Sequence, residues 1–93
     1  MKSAAFLDRD GVINIDSDSF IKSPSEWIAY PDSLAAIANL NNNGFSVAVA
    51  TNQSGISRGL FNLSTLVSIH EKMIAELSFY GGKIDKIFFC PHT

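Results

Sequence analysis

Ala4-Ala5-Phe6-Leu7-Asp8-Arg9-Asp10-Gly11 is the stretch on which the fold turns. An apolar run ends in two carboxylates one residue apart, and a glycine follows. The run has no polar alternation, the pattern of a short strand buried on both faces of a parallel sheet. Alternate residues of an extended chain point the same way, so Asp8 and Asp10 converge at the end of that strand. Paired carboxylates repel unless a cation lies between them. On these residues alone two readings stand. One is an acidic turn after an edge strand, with Gly11 supplying unusual backbone angles. The other is a divalent-metal or catalytic site.

Two further runs resemble the first. Phe45-Ser46-Val47-Ala48-Val49-Ala50 reads as a second buried strand, with Thr51-Asn52-Gln53-Ser54-Gly55 at its end. Ile84 to Phe89 reads as a third, followed by Cys90-Pro91-His92-Thr93. Helical periods fill the gaps. Pro31-Asp32-Ser33 starts one helix, with Asp32 or Ser33 as cap and Leu34, Ile37, Ala38 and Leu40 as the apolar face. Asn41-Asn42-Asn43-Gly44 stops it. Asn62 caps a second helix, whose stripe is Leu66, Ile69, Met73 and Leu77. His70 and Ile74 flank the stripe, and His70 reads as a rim residue rather than a ligand. Gly81-Gly82 ends this helix.

Residues Asp16 to Tyr30 are too long and too aromatic for a plain connector. They read either as a lid or flap, holding a small hairpin or turn, or as an irregular surface insertion. The whole order is βαβαβ, an α/β chain with a parallel sheet and right-handed crossovers.

Ninety-three residues make one small domain at most. A hydrophobic content of 46% and a charged content of 17% suit a globular chain and not a disordered one. The formal charge of −2, without a basic patch, argues against a nucleic-acid partner. No apolar run approaches the roughly 18 residues that span a bilayer, and no signal-peptide core follows Met1, so no membrane partner is expected. The expected compartment is the cytoplasm, with which the single cysteine, Cys90, agrees.

Ligands of open α/β sheets bind at the carboxyl ends of the strands. Here one end is acidic, and the next offers hydroxyl, amide and backbone N–H donors. That pairing suits a phosphorylated small molecule shared with a divalent cation. In such a scheme Asp8 attacks phosphorus and Asp10 is the general acid and base. Arg58 reads as a contact for a second anionic group or as an exposed loop arginine.

Asp8-Arg9-Asp10-Gly11-Val12-Ile13, followed by Thr51-Asn52-Gln53-Ser54-Gly55-Ile56, resembles the haloacid dehalogenase superfamily of phosphatases. More narrowly the chain resembles the heptose-bisphosphate phosphatases and the histidinol-phosphatases. Ser57-Arg58-Gly59 and Cys90-Pro91-His92 point to the heptose side. The resemblance implies a three-layer Rossmann-type parallel sheet, of which residues 1–93 would be the incomplete N-terminal βαβαβ portion. It implies a magnesium-dependent phosphomonoesterase acting on a heptose bisphosphate through an aspartyl-phosphate, with histidinol phosphate as the alternative substrate. Asp8 would be nucleophile and magnesium ligand. Asp10 would be acid/base and would bind magnesium through its main-chain carbonyl. Thr51 would hold the phosphoryl group, and Asn52, Gln53 and Arg58 would meet the substrate. Residues Asp16 to Tyr30 would include a flap over the site.

The family pattern continues past the third strand with a lysine, a further strand and an acidic motif that have no counterpart before Thr93. An inactive anion-binding module is therefore a further alternative. Cys90 and His92 resemble the first half of a zinc loop and supply two of the four ligands that a tetrahedral site needs. In the family's strand order the strand before Asp8 would stand at an edge here, which leads to an expectation of self-association across it.

Overall fold

Five elements follow one another as expected in the computed structural model, which describes residues 3–16, 21–52, 59 and 61–90. They are β1 (Ser3–Asp8), α1 (Pro31–Asn42), β2 (Phe45–Asn52), α2 (Leu63–Phe79) and β3 (Lys86–Cys90), with a single 3-10 turn at Pro24–Glu26 between β1 and α1. The sheet is parallel throughout, in the order β1-β2-β3. Asp8 pairs with Ala50, and Asn52 pairs with Cys90. The three strands therefore end near one another, and the polar residues that follow them share one edge of the sheet. No helix of the described residues is long and apolar enough to cross a membrane.

The helices lie on one face of the sheet. Val47 and Val49, alternate residues of β2, are fully buried. They share one core cluster with Leu34 and Ile37 of α1 and with Ile69, Met73 and Leu77 of α2. Leu7 and Ile87 pack partly against it. On the opposite face Phe6 pairs with Ala48, and Ala50 with Phe88. Phe6 is 72% exposed and Phe88 49%. The expectation that β1 is buried on both faces is therefore corrected. It is an edge strand, and among the described residues no helix covers its second face. Of the implied three layers, the described residues supply the sheet and one helix layer.

Local chemistry explains where the elements begin. Pro31, which has no N–H to lose and a fixed φ, takes the first helical position of α1. Asp32 and Ser33 then fall inside the first turn, so neither caps the helix, contrary to expectation. The Ser33 hydroxyl instead donates to the Val12 carbonyl at 2.6 Å. Gly44 follows α1 with φ +86°, the left-handed conformation expected of it. Asn62 caps α2 as predicted, its side chain accepting from the Thr65 N–H at 2.9 Å. β3 starts at Lys86 rather than Ile84. Asp85 first pins β2, donating its N–H to the Val47 carbonyl and accepting the Val47 N–H on its side chain, both at 2.8 Å.

The segment before α1 belongs to the core. Ile21 and Trp27 are buried in the main cluster. Lys72 of α2 donates to the carbonyls of Pro24 at 2.8 Å and Trp27 at 2.7 Å. Residues 13–15 and 28–30 form the small hairpin that the sequence suggested, through Ile15 N–H to the Ile28 carbonyl and Tyr30 N–H to the Ile13 carbonyl. Ile21 and Trp27 thus anchor the described residues of this segment in the core, while Ser25, Glu26 and Ile28 stay exposed. Burial of the indole and the two hydrogen bonds from Lys72 hold the segment down. Residues 17–20 lie outside the described residues.

Candidate active site

β1 hands directly into the site. The Arg9 N–H continues the sheet ladder to the Ala50 carbonyl at 3.1 Å. The chain then folds back sharply, and the N–H groups of Val12, Ile13 and Asn14 all donate to the Arg9 carbonyl at 2.8–3.3 Å. Gly11, with φ +82°, makes this reversal in a conformation that side-chain-bearing residues rarely adopt. Its N–H closes the loop on the Asn14 carbonyl at 2.7 Å.

Asp8 stands exposed at the end of β1. Asp10 is partly buried and tightly held. Its Oδ1 accepts from Arg9 Nε at 2.8 Å and from Asn14 Nδ2 at 3.0 Å. Arg9 is fully buried, as is Asn14. A buried guanidinium beside a carboxylate is a charge-assisted pair in a poorly solvated place, where losing either partner strands the other. Arg9 Nη1 lies 3.2 Å from Nε2 of His70, a buried residue of α2. The guanidinium has only donors, so His70 Nε2 must accept, which leaves the ring proton on Nδ1. Burial, then the charge of Arg9, pushes the His70 pKa down to about 4, with Asp10 opposing. His70 is accordingly neutral at physiological pH.

Thr51, one position beyond the residue paired with Asp8, is buried at the end of β2. The structure thus brings Asp8, Asp10 and Thr51 to one sheet edge. Asn52 and Cys90 are placed through their backbones, as register partners at the ends of β2 and β3. Gln53, Arg58 and His92 lie outside the described residues. The expected partial zinc site of Cys90 and His92 falls with them.

Arg9, Asn14 and His70 had no role in the sequence reading. A signal existed for two of them. Arg9 is the cation between two carboxylates, and His70 falls four residues after Leu66 and three before Met73, on the buried side of α2. The reading of His70 as a rim residue is corrected, because the arginine beneath α2 gives its ring nitrogen a buried partner.

The donor chemistry suits magnesium. This ion takes oxygen ligands, and typically one or two carboxylates with waters and substrate phosphate complete its shell. Among the described residues no group of three or more His, Cys, Asp or Glu side chains comes together. Asp8 and the Asp10 segment are what they offer. With Asp10 Oδ1 committed to Arg9 and Asn14, Asp8 is the exposed carboxylate of the pair.

Carboxylates and a threonine at the carboxyl edge of a parallel α/β sheet define a class of protein with its ligand site at the strand ends. Comparison with known proteins makes this particular. No family model matches the chain. The D-glycero-beta-D-manno-heptose-1,7-bisphosphate 7-phosphatase of Bordetella bronchiseptica is 59% identical over 86 residues, 92% of this chain and 48% of that protein. The enzyme of the same name from Pseudomonas aeruginosa is 50% identical over 91 residues, 98% of this chain and 51% of that one. The crystal structure of the D,D-heptose 1,7-bisphosphate phosphatase from B. bronchiseptica, complexed with magnesium and phosphate, superposes with a TM-score of 0.95 at 56% identity. That match covers 98% of this chain and 51% of that one. The chain is a homologue of the haloacid-dehalogenase-like heptose-bisphosphate phosphatases. It spans about half the length of the curated relatives it matches.

Proposed function

We propose that the protein is a magnesium-dependent phosphomonoesterase acting on a sugar bisphosphate of the heptose 1,7-bisphosphate type. Residues 1–93 would be the N-terminal portion of the phosphatase domain. The observation that carries the reading is the placement of Asp8 at the end of β1, beside a rigidly held Asp10 and next to Thr51. In this reading the Asp8 carboxylate attacks phosphorus to form an aspartyl-phosphate. Asp10 protonates the leaving alkoxide and then takes a proton from the hydrolytic water. Thr51 holds the transferring phosphoryl group, and Asn52, Gln53 and Arg58 meet the substrate. Asp8 and the main-chain carbonyl of Asp10 would hold magnesium. Bound there, the ion offsets repulsion between phosphate and carboxylate.

A second reading is a non-catalytic anion-binding module on the same scaffold, in which the same strand ends hold phosphate without attack on it. Phosphate release from D-glycero-D-manno-heptose 1,7-bisphosphate separates the two. Magnesium-dependent turnover that falls about a thousandfold or more in Asp8→Asn supports the phosphatase. Phosphate binding without turnover supports the module, and faster release from histidinol phosphate redirects the substrate.

A further inference from the structure

The His70–Arg9–Asp10 chain joins α2 to the proposed acid/base residue. Arg9 is fully buried, and its Nη2 has no hydrogen-bond partner among the described residues. The guanidinium is therefore held at Nε by Asp10 and at Nη1 by His70, at 2.8 and 3.2 Å. These two contacts fix the plane of the guanidinium from opposite ends. Asn14 alone, at 3.0 Å, would still hold Asp10 Oδ1, but as a neutral donor it supplies no compensating charge.

We infer that His70 is a positioning residue: as a neutral acceptor on α2 it holds the Arg9 guanidinium in the plane that fixes the Asp10 carboxylate. This rests on the phosphatase reading for its consequence in turnover, but not for its geometry. A charged imidazolium at this place would face a guanidinium with no lone pair to offer, and an apolar side chain would leave Nη1 without its acceptor. Either change frees Arg9 to rotate about its side-chain torsions, and the Asp10 carboxylate shifts with it. Displacement of a group that moves protons costs rate through orientation more than through substrate affinity.

The test compares His70→Gln, whose side-chain oxygen can accept from Arg9, with His70→Leu, which cannot. Two readouts are taken on the full chain. By NMR, the wild-type imidazole shows an unprotonated Nε2 and a protonated Nδ1 at neutral pH. The Arg9 Nε–H resonance, which reports its bond to Asp10, is shifted and exchange-protected. In His70→Gln that resonance keeps its position and protection. In His70→Leu its protection falls about tenfold or more. In turnover, His70→Leu lowers kcat by about tenfold with KM nearly unchanged, and His70→Gln restores most of it. Equal Arg9 signals in the two variants, or equal losses of kcat at matched melting temperatures, would overturn the assignment. Should the wild-type chain hydrolyse no phosphate ester, the phosphatase reading fails. The Arg9 resonance then still decides whether His70 positions it.

Discussion

The two faces of the central strand behave as if they belonged to different proteins. Val47 and Val49 are fully buried beneath α1 and α2, whereas Ser46, Ala48 and Ala50 lie half-buried between exposed Phe6 and Phe88. Both faces are apolar in sequence, as is usual for a parallel sheet with helices on each side. Only one carries helices among the described residues. Stability is therefore concentrated on the Val47–Val49 face, while the other contributes exposed apolar surface of the kind that drives association. The contrast teaches that an apolar strand states a need for cover without saying from where it comes.

Substitution of a matched pair is the severest test of this contrast. Val49→Asp places an unpaired carboxylate in the core and should cost about 4 kcal/mol or more, enough to unfold a small domain. Phe88→Ser on the open face should cost no more than about 1 kcal/mol. Equal midpoints in urea denaturation would remove the distinction.

Acid titration probes the covered face through His70. The His70 pKa of about 4 lies below the ordinary value near 6.5, so the unfolded chain binds the proton more readily. This contribution to stability is complete above about pH 6.5 and is lost as pH falls through about 4, with a total on the order of 3 kcal/mol. His70→Gln should flatten this part of the stability profile. A wild-type profile unchanged between those limits would contradict the buried neutral ring.

Phe6→Ser sharpens the comparison from the open face and has the smallest expected effect on the fold, within about 0.5 kcal/mol. Its consequence should be seen in association. We propose that copies of the chain meet across the exposed β1 edge. Size-exclusion chromatography of the wild type should then show concentration-dependent self-association that Phe6→Ser reduces. A concentration-independent monomer with a sharp, high melting transition would end that expectation.

Much of the architecture was legible because it rests on local chemistry. The three apolar runs became β1, β2 and β3, and the 3.6-residue stripe of Leu66, Ile69, Met73 and Leu77 became the buried face of α2. Asn62 capped that helix, since its side chain needs only the N–H three residues on. The misreadings share a cause. Ser33 did not cap α1, because Pro31 took the first helical position and left Ser33 inside the first turn, where its hydroxyl found a carbonyl 21 residues earlier. Trp27 lay in the core, and Lys72 reached back from α2 to its carbonyl. His70 left the rim for the same kind of reason, a partner 61 residues away.

The site divides along the same line. Asp8, Asp10 and Thr51 could be picked out from the sequence, since each follows an apolar strand and β-strand geometry delivers such residues to one sheet edge. The company they keep could not. Nothing in the spacing of Arg9, Asn14 and His70 reveals that a guanidinium is shut away from water, where it must find acceptors. Sequence by itself determined the strands, the helices and the acidic pair, because those depend on alternation, period and neighbours in the chain. Only the tertiary structure decided which sheet face was covered and which donors hold Asp10 Oδ1. Both depend on burial, which long-range packing alone creates.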